Sequence, residues 1–223
     1  MFKILKSIDI CAKVFDGTHD SPKYIPNGVP LVTSKYISNN NIDIINPSKI
    51  SITDYEKINL RSKVLKNDIL ISMIGTVGLV ARIKDEPYFA IKNIGVLRPR
   101  SEIDSKYLFY YLQSTYAQSL IKSQLDGSTQ QYLSLDKLRN LNILYPKQEE
   151  YKQHIVNIIG SIDDLIESNY ILIEKIKIYL KNIFDKWYLK ANIKTTINDC
   201  SINISFKIPL IKNIFQIYFY FLN

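Results

Sequence analysis

The most restrictive feature of the sequence is a run of apolar residues at alternating three- and four-residue steps between residues 148 and 190. Such steps place side chains along one side of an α-helix, and two complete heptad seams are present. The first seam is Ile155, Ile158, Ile162, Leu165, Asn169, Leu172, Ile176, Tyr179 and Ile183, and the second is Ile159, Ile162, Ile166, Asn169, Ile173, Ile176, Leu180, Ile183 and Trp187. Because two overlapping seams are wider than a two-stranded coiled coil needs, the sequence predicts a partner helix on one side of this stripe and further protein on the other.

The predicted helix is long for a chain of this size. Glu149 and Glu150 follow Pro146 and place acidic charge in a first helical turn, where it complements the helix dipole. At 1.5 Å per residue the helix is about 65 Å long, more than the preceding residues can cover. Asn169 lies on both seams and is a polar residue of the kind that fixes helix register. We therefore predict a long helix over residues 147–190 that pairs with another helix, with an ordinary core helix as the alternative.

Residues 1–146 have the pattern of a β-rich globular domain. Residues 68–74 are an almost unbroken apolar run, long enough to cross a core. Residues 79–83, 88–91 and 94–97 are shorter apolar runs with turn residues between them. Their spacing predicts a set of short strands.

Later in this domain the apolar period changes from that of strands to that of a helix. We predict one amphipathic helix over residues 104–125, with Asp104 or Ser105 as its cap. A polar loop at 127–134 and a short strand at 138–144 follow it. The expected fold class is α+β, a β-rich globular domain followed by a long coiled-coil-like helix.

The charge of the chain is concentrated in this first domain. The whole chain has a formal net charge of +8, and residues 1–146 contribute 19 Lys and Arg against 13 Asp and Glu. Residues 147–190 are balanced, with seven of each sign. This division indicates that the domain meets a polyanion and the helix meets protein. The alternative is that abundant Lys and Asn reflect only an AT-rich genome.

The sequence excludes several other classes of protein. Two Cys and two His are too few for a disulfide framework or a dedicated metal site. No uncharged apolar stretch reaches the roughly 18 residues that span a bilayer, and the N-terminal residues do not form a signal peptide. We therefore expect a protein of the cytoplasm with no membrane partner.

Motifs for catalysis are also missing. The glycines of Gly75-Thr76-Val77-Gly78 lie between two apolar strands, so they predict a tight turn rather than a dinucleotide loop. His19 lies in a polar loop without a nucleophile beside it, and Cys11 has no nearby His partner. The Asn-Pro-Pro-Tyr and Asp-Pro-Pro-Tyr motifs of adenine methylation do not occur. The sequence predicts a binding protein with no catalytic residue, no cofactor and no metal.

Four stretches together identify a family. They are residues 16–22 with 28–33, residues 67–72 with the turn 75–78, residues 127–134, and residues 145–167. In this order they resemble the specificity (S) subunit of type I restriction-modification systems over residues 1–190. One local difference is that Glu149-Glu150-Tyr151 stands where the family has Glu-Glu-Gln after the proline.

The resemblance implies a function that the residues alone do not give. Specificity subunits hold two target-recognition domains, each followed by a conserved long helix. Each domain reads one half of a split DNA target, and the paired helices are the spacer between the two domains. They have no catalytic site and recruit methyltransferase and restriction subunits. This sequence has one such domain (1–146) and one such helix (147–190), so we expect a half-length form, natural or truncated, that pairs into a homodimer. The tail 191–223 is either the start of a second domain or incidental sequence.

The predicted partners are double-stranded DNA, an adenine methyltransferase subunit, a restriction subunit and a second copy of this chain. Polar and basic residues of the predicted loops are the candidates for DNA contact, because they offer hydrogen bonds to base edges and charge for phosphates. They are Thr18, His19, Lys23, Tyr24, Thr33, Lys35, Lys63, Thr76, Lys92, Asn93, Gln130 and Gln131. The alternative function is a decayed subunit that acts only through its coiled coil, and a nuclease or methyltransferase fragment comes third.

Overall fold

The structure, a computed structural model, describes residues 2–38, 40–127 and 130–191. Its strands are β1 (Phe2–Lys6), β2 (Cys11–Asp16), β3 (Tyr24–Ile25), β4 (Val29–Val32), β5 (Ile37–Ser38), β6 (Asn41–Ile42), β7 (Lys49–Ile50), β8 (Ile69–Ser72), β9 (Val80–Arg82), β10 (Ala90–Ile91), β11 (Ile94–Pro99) and β12 (Asn142–Pro146). Its α-helices are α1 (Ser7–Ile10), α2 (Ile52–Ser62), α3 (Glu102–Gln113), α4 (Thr115–Ser123), α5 (Leu135–Arg139) and α6 (Glu149–Ala191), and Ser34–Tyr36 is a 3₁₀ turn. A β-rich domain followed by one long helix confirms the α+β prediction.

The strands form two four-stranded sheets and two pairs. One sheet has the order β2-β11-β8-β9 and is antiparallel throughout. The other has the order β10-β4-β7-β3, in which only β10 and β4 run parallel. Strands β5 and β6 pair, and β1 pairs with β12. The β1–β12 pair joins the start of the chain to the strand that leads into α6.

The core lies on both sides of the β2-β11-β8-β9 sheet. Successive side chains of a strand point to opposite faces, so β8 contributes to two apolar clusters. Ile69 and Ile71 pack in a cluster with residues of α3 and α4, whereas Leu70 packs with Phe89 and Ile91 beside the second sheet. This explains why residues 68–74 are apolar without alternation, since both faces of the strand are buried.

The first turn of α6 is anchored to the domain by a buried charge. Lys152 is 3% exposed, and its ammonium donates hydrogen bonds to Asp104 Oδ1 at 2.5 Å and to the Tyr145 hydroxyl at 2.8 Å. Tyr145 also donates to Asp104, and Lys152 pairs with Glu149 at 2.8 Å. Burial disfavours the charged forms of both Asp104 and Lys152. The hydrogen bonds outweigh it, lowering the pKa of Asp104 and raising that of Lys152.

Three elements differ from the predictions. Residues 104–125 are two helices rather than one, because Ser114 ends α3 and its hydroxyl accepts a hydrogen bond from the amide of Ala117 to cap α4. Ser101, rather than Asp104 or Ser105, caps α3. The predicted strand at 138–144 is a short helix, α5, followed by β12.

Helix α2 lies in a part of the β-rich domain for which no helix was predicted. The Ser51 hydroxyl accepts a hydrogen bond from the Asp54 amide at 3.0 Å, so the start of the helix is capped. Only Tyr55 and Ile58 pack, half-buried, against a small cluster at the β4–β7 sheet. This weak apolar pattern is the reason that the helix does not stand out in the sequence.

The chain separates into two compact units after Leu165, and α6 contributes residues to both. Along α6 from Ile158 to Trp187, the residues of both seams are exposed, except for the partly exposed Leu180. Within the described residues, no helix combines the length and the apolarity that a bilayer crossing requires. Residues 192–223, which make up most of the predicted tail, lie outside the described residues.

Candidate nucleic-acid interface

Five of the twelve predicted DNA contacts line one surface cavity. They come from three separate segments: Thr33 and Lys35 after β4, Thr76 after β8, and Lys92 and Asn93 between β10 and β11. The cavity has a volume of about 580 Å³. Ser34, Ile37, Ile74, Gly75 and Leu79 complete its lining. We call this surface the first cavity.

Two further predicted residues, Thr18 and His19, line a second cavity of about 530 Å³. Its lining also includes Asp20, Ser21, Pro22, Asp54, Lys57, Ile58, Arg61 and Ser62. Hydrogen bonds join the two cavities: a ring nitrogen of His19 lies 2.7 Å from Asn93 Oδ1, and the Lys92 ammonium donates to the Ser21 hydroxyl at 2.6 Å. Side chains of the two linings are therefore held as one surface.

The turn that carries Thr76 is fixed by a buried serine. Ser72 is fully buried; its hydroxyl donates to the Thr76 carbonyl oxygen at 2.5 Å and accepts from the Leu79 amide at 2.8 Å. Gly75 and Gly78 have φ angles of 78° and 92°, a region that favours glycine. The predicted tight turn at 75–78 thus presents Thr76 at the cavity from a rigid base.

The Lys92-Asn93 corner is held by backbone hydrogen bonds to β4 and to the loop after β2. The Lys92 amide donates to the Val32 carbonyl oxygen at 2.9 Å, and the Asn93 amide donates to the Thr18 carbonyl oxygen at 3.1 Å. Asn93 has a φ of 55°, a left-handed conformation that Asn adopts more readily than most residues. The backbone at Gly17 passes so close that an added Cβ would lie 2.5 Å from the Ile91 carbonyl oxygen.

The other five predicted residues lie outside both linings. Lys23 and Tyr24 are exposed directly after Pro22, and Lys63 is exposed directly after Ser62. The exposed Gln130 and Gln131 precede Tyr132, which forms a β-bridge with Ile74 of the first cavity lining. This bridge brings the end of the 127–134 loop beside that cavity.

The sequence reasoning missed two cations of the second cavity, Lys57 and Arg61. Both lie on α2, a helix that was not predicted. The Arg61 guanidinium donates to the Gly17 carbonyl oxygen at 2.9 Å and lies 3.6 Å from Asp16 Oδ1. The signal that could have found them is Ser51 followed three residues later by Asp54, a pattern typical of a helix start.

The charges at the two cavities are mixed but include four cations. Lys35 and Lys92 line the first cavity, and Lys57 and Arg61 line the second. The Lys35 ammonium lies 4.6 Å above the Tyr36 ring, and its hydrogen bond with the Tyr36 side chain raises the pKa of Lys35. Lys35 therefore keeps its positive charge at neutral pH.

Cys11 lies away from this surface and does not have the properties of a nucleophile. It is 2% exposed within the core cluster that packs against α3. Burial raises the pKa of its thiol to about 12, so the thiolate is scarce at neutral pH.

Comparisons with known proteins agree with this architecture. The sequence profile of the family described as "Type I restriction modification DNA specificity domain" matches residues 9–178. Among curated proteins, the MjaIX specificity subunit of Methanocaldococcus jannaschii is 25% identical over 189 residues, which are 83% of this chain and 43% of that protein. The MjaVIII specificity subunit of the same organism is 37% identical over 84 residues, which are 37% of this chain and 20% of that protein.

Solved structures share the fold. The S subunit of a type I restriction-modification system from M. genitalium superposes with a TM-score of 0.58 at 19% identity, over 85% of this chain and 45% of that one. The HsdS subunit of Thermoanaerobacter tengcongensis gives a TM-score of 0.52 at 18% identity, over 75% and 38%. The chain spans less than half the length of these relatives. Because the family profile covers well over half of its residues, the chain belongs to the family of type I restriction modification DNA specificity domains.

Proposed function

We propose that this chain is a DNA-binding specificity subunit of a type I restriction-modification system. In this proposal residues 1–146 bind one half of a split duplex target through the two joined cavities. The observation that carries it is the assembly of Thr33, Lys35, Thr76, Lys92 and Asn93 from three segments of the chain in one cavity lining. Specificity subunits are non-catalytic DNA-recognition proteins, and the sequence prediction of a binding protein without catalytic residues agrees with such a role.

The chemistry of the joined surface suits duplex DNA. The four cations can pair with phosphates and position the duplex, whereas hydroxyl and amide groups can read base edges. Thr33, Thr76 and Asn93 supply such groups beside Lys35 and Lys92. Rigid support is favourable here, because side chains held in place lose less freedom on binding.

We further propose that residues 147–190 form the interface with a second copy of this chain. Apart from the partly exposed Leu180, the apolar side chains of the seams are exposed from Ile158 to Trp187. Moving this apolar surface out of water and against a partner helix is favourable. Of the charged residues between 149 and 167, five are acidic and one is basic, whereas between 174 and 190 two are acidic and five are basic. Antiparallel pairing places these opposite charges against each other, and parallel pairing would oppose like charges.

A two-fold homodimer would carry two copies of the same recognition domain. Each copy would read the same half-site, so the target of the pair would be a palindrome interrupted by a spacer. Because the apolar stripe is wider than one partner helix covers, its remaining side is the proposed docking surface for the methyltransferase subunit. The restriction subunit would join through that complex, in the cytoplasm with the genome.

The test is duplex binding by the full chain with its cognate methyltransferase subunit. We expect site-selective binding, and we expect Lys35→Ala and Lys92→Ala to weaken binding to all duplexes about equally. A plot of log affinity against log salt concentration has a negative slope. Each change should make that slope less steep by about one, because each removes one phosphate contact. The matched control is Lys177→Ala on the exposed face of α6, which should leave the slope unchanged.

Two outcomes would contradict the proposal. An unchanged slope in both cavity variants would place the DNA-binding surface elsewhere on the domain. Pairing through α6 without any preference among duplexes would instead support the alternative, a subunit that acts only through its coiled coil.

A further inference from the structure

His19 is placed between two oxygen-bearing side chains at the boundary of the two cavities. Its Nε2 lies 3.0 Å from Asp16 Oδ2, and its Nδ1 lies 2.7 Å from Asn93 Oδ1. The carboxylate of Asp16 can only accept a hydrogen bond, so Nε2 carries a hydrogen in either charge state of the ring. The charge state of His19 is therefore decided at Nδ1, on the side of Asn93.

The two charge states require opposite orientations of the Asn93 amide. In the imidazolium form Nδ1–H donates to Asn93 Oδ1, which leaves the amide NH₂ for a ligand of the first cavity. In the neutral form Nδ1 is an acceptor, so the amide NH₂ must donate to it and Oδ1 is left for the ligand. The backbone of Asn93 is held by its bond to Thr18, so the amide can reverse without moving the corner.

We infer that His19 is a positioning residue that sets which hydrogen-bonding group Asn93 presents to DNA. A presented NH₂ group donates to acceptor edges, which guanine, thymine and the N7 of adenine offer and cytosine does not. A presented oxygen accepts from an exocyclic amino group, which adenine and cytosine offer and guanine and thymine do not. The base preference at one position of the target then differs between the imidazolium and the neutral form of the ring, and histidine is the side chain that commonly switches between two charge states near physiological pH. This inference rests on the proposed function, since it assumes that the first cavity meets bases.

The charged groups around His19 lie on several elements. Asp16 ends β2 and contacts the ring directly, and Arg61 of α2 lies 3.6 Å from the other oxygen of Asp16. Asp20 lies in the same loop, and Lys92 reaches Ser21 from the β10–β11 corner. Asp54 and Lys57 line the cavity from α2. The ring itself remains largely solvent-accessible, with 62% of its side chain exposed, so buffer protons reach it.

The DNA experiment compares base preferences at two pH values. The full chain with its cognate methyltransferase subunit selects from a randomised duplex library at pH 6.0 and pH 8.0. We expect a shift of roughly three- to tenfold at one target position, the size of one hydrogen bond. His154→Gln, which removes the only other imidazole, should shift as the wild type does. His19→Gln should give the same preference at both pH values, and Asn93→Gly, which suits the left-handed backbone, should lose the preference at that position.

A second measurement needs no DNA. In NMR spectra of the free chain, the Asn93 side-chain amide signal should move with the titration of the His19 ring nitrogens and not with that of His154. Independent titration of the two signals would overturn the inference, as would a base preference that is the same at both pH values. Failure of the complex to enrich any duplex at either pH would contradict the proposed function instead.

Discussion

Lys152 is a charged residue inside the protein, and its buried carboxylate partner comes from a distant part of the chain. Asp104 lies 48 residues before it and Tyr145 seven residues before it. A buried charge that loses its partner keeps the free-energy cost of leaving water. Replacing one member of the pair therefore destabilises the protein more than replacing both. This makes Lys152 the residue at which the attachment of α6 is most easily tested.

Lys152→Met should destabilise the chain by about 3 kcal/mol, because it leaves the Asp104 carboxylate buried without its cation. The free energy of unfolding, measured by urea denaturation, gives the change. Lys177→Met is the matched control, since Lys177 pairs with Glu174 at 2.8 Å on an exposed face of the same helix. It should cost no more than about 0.5 kcal/mol. A similar loss in both variants would show that the buried pair has no special role.

The same pair predicts a dependence of stability on acid pH. The folded state lowers the pKa of Asp104 through its hydrogen bonds, although burial acts in the opposite direction. A carboxyl with a lowered pKa contributes stability above its unfolded pKa of about 4 and loses that contribution as the pH falls through the folded pKa. The difference in unfolding free energy between wild type and Lys152→Met should therefore narrow below about pH 4. A difference that stays constant from pH 7 to pH 3 would contradict this assignment.

At the residue scale, sequence reasoning found the polar groups of the cavities but not their connections. Thr33, Thr76 and Asn93 are conspicuous as polar residues at turns, so their selection needed no structure. The approach of His19 to Asn93 joins residues that are 74 positions apart in the chain. Such long-range contacts follow from the sheet order, which a local pattern does not contain.

Among the elements, the 75–78 turn offers a direct test of how the first cavity is built. Both glycines have positive φ angles, but an added Cβ at Gly75 meets open space, whereas one at Gly78 lies 2.8 Å from Gln118 Oε1. Gln118 donates to the Gly78 and Leu112 carbonyl oxygens at 2.9 and 2.7 Å. A substitution at Gly75 therefore tests backbone strain alone, whereas one at Gly78 tests backbone strain together with displacement of the Gln118 side chain.

Gly75→Ala should cost about 1–2 kcal/mol, the strain of an L-residue in this conformation. Gly78→Ala should cost about 1 kcal/mol more, because the new methyl group displaces Gln118 and weakens its hydrogen bonds. Urea denaturation of the two variants side by side gives the difference. Equal losses would mean that Gln118 adjusts without loss.

Elements with a strong period were predicted well, and those with local breaks were not. The long helix follows from nine-member seams, and β8 follows from its apolar run. The break at Ser114 depends on a single hydroxyl cap, and helix α2 buries little apolar surface. In both cases a hydrogen bond to one capping side chain decides where the helix begins. An analysis of apolar periodicity over many residues does not detect such a single contact.

For the whole molecule, the sequence predicts that α6 needs a partner, and the exposed seams agree with that need. The family assignment indicates the kind of complex, although the chain spans less than half of its curated relatives. Neither observation gives the direction of pairing. In the proposed homodimer, the unequal distribution of charge along the helix favours antiparallel pairing, because only antiparallel helices oppose its acidic and basic parts.

Antiparallel pairing centred on Asn169 makes a specific prediction for cross-linking. In that register Ile162 of one copy opposes Ile176 of the other, since both lie seven residues from the centre. With Cys200 replaced by Ser, Ile162→Cys and Ile176→Cys chains should form a disulfide-linked dimer when mixed and oxidised. Neither variant should cross-link by itself, because each cysteine then faces an isoleucine. Parallel pairing in register would reverse this result, with each variant linking to itself, and would leave the charge argument without support.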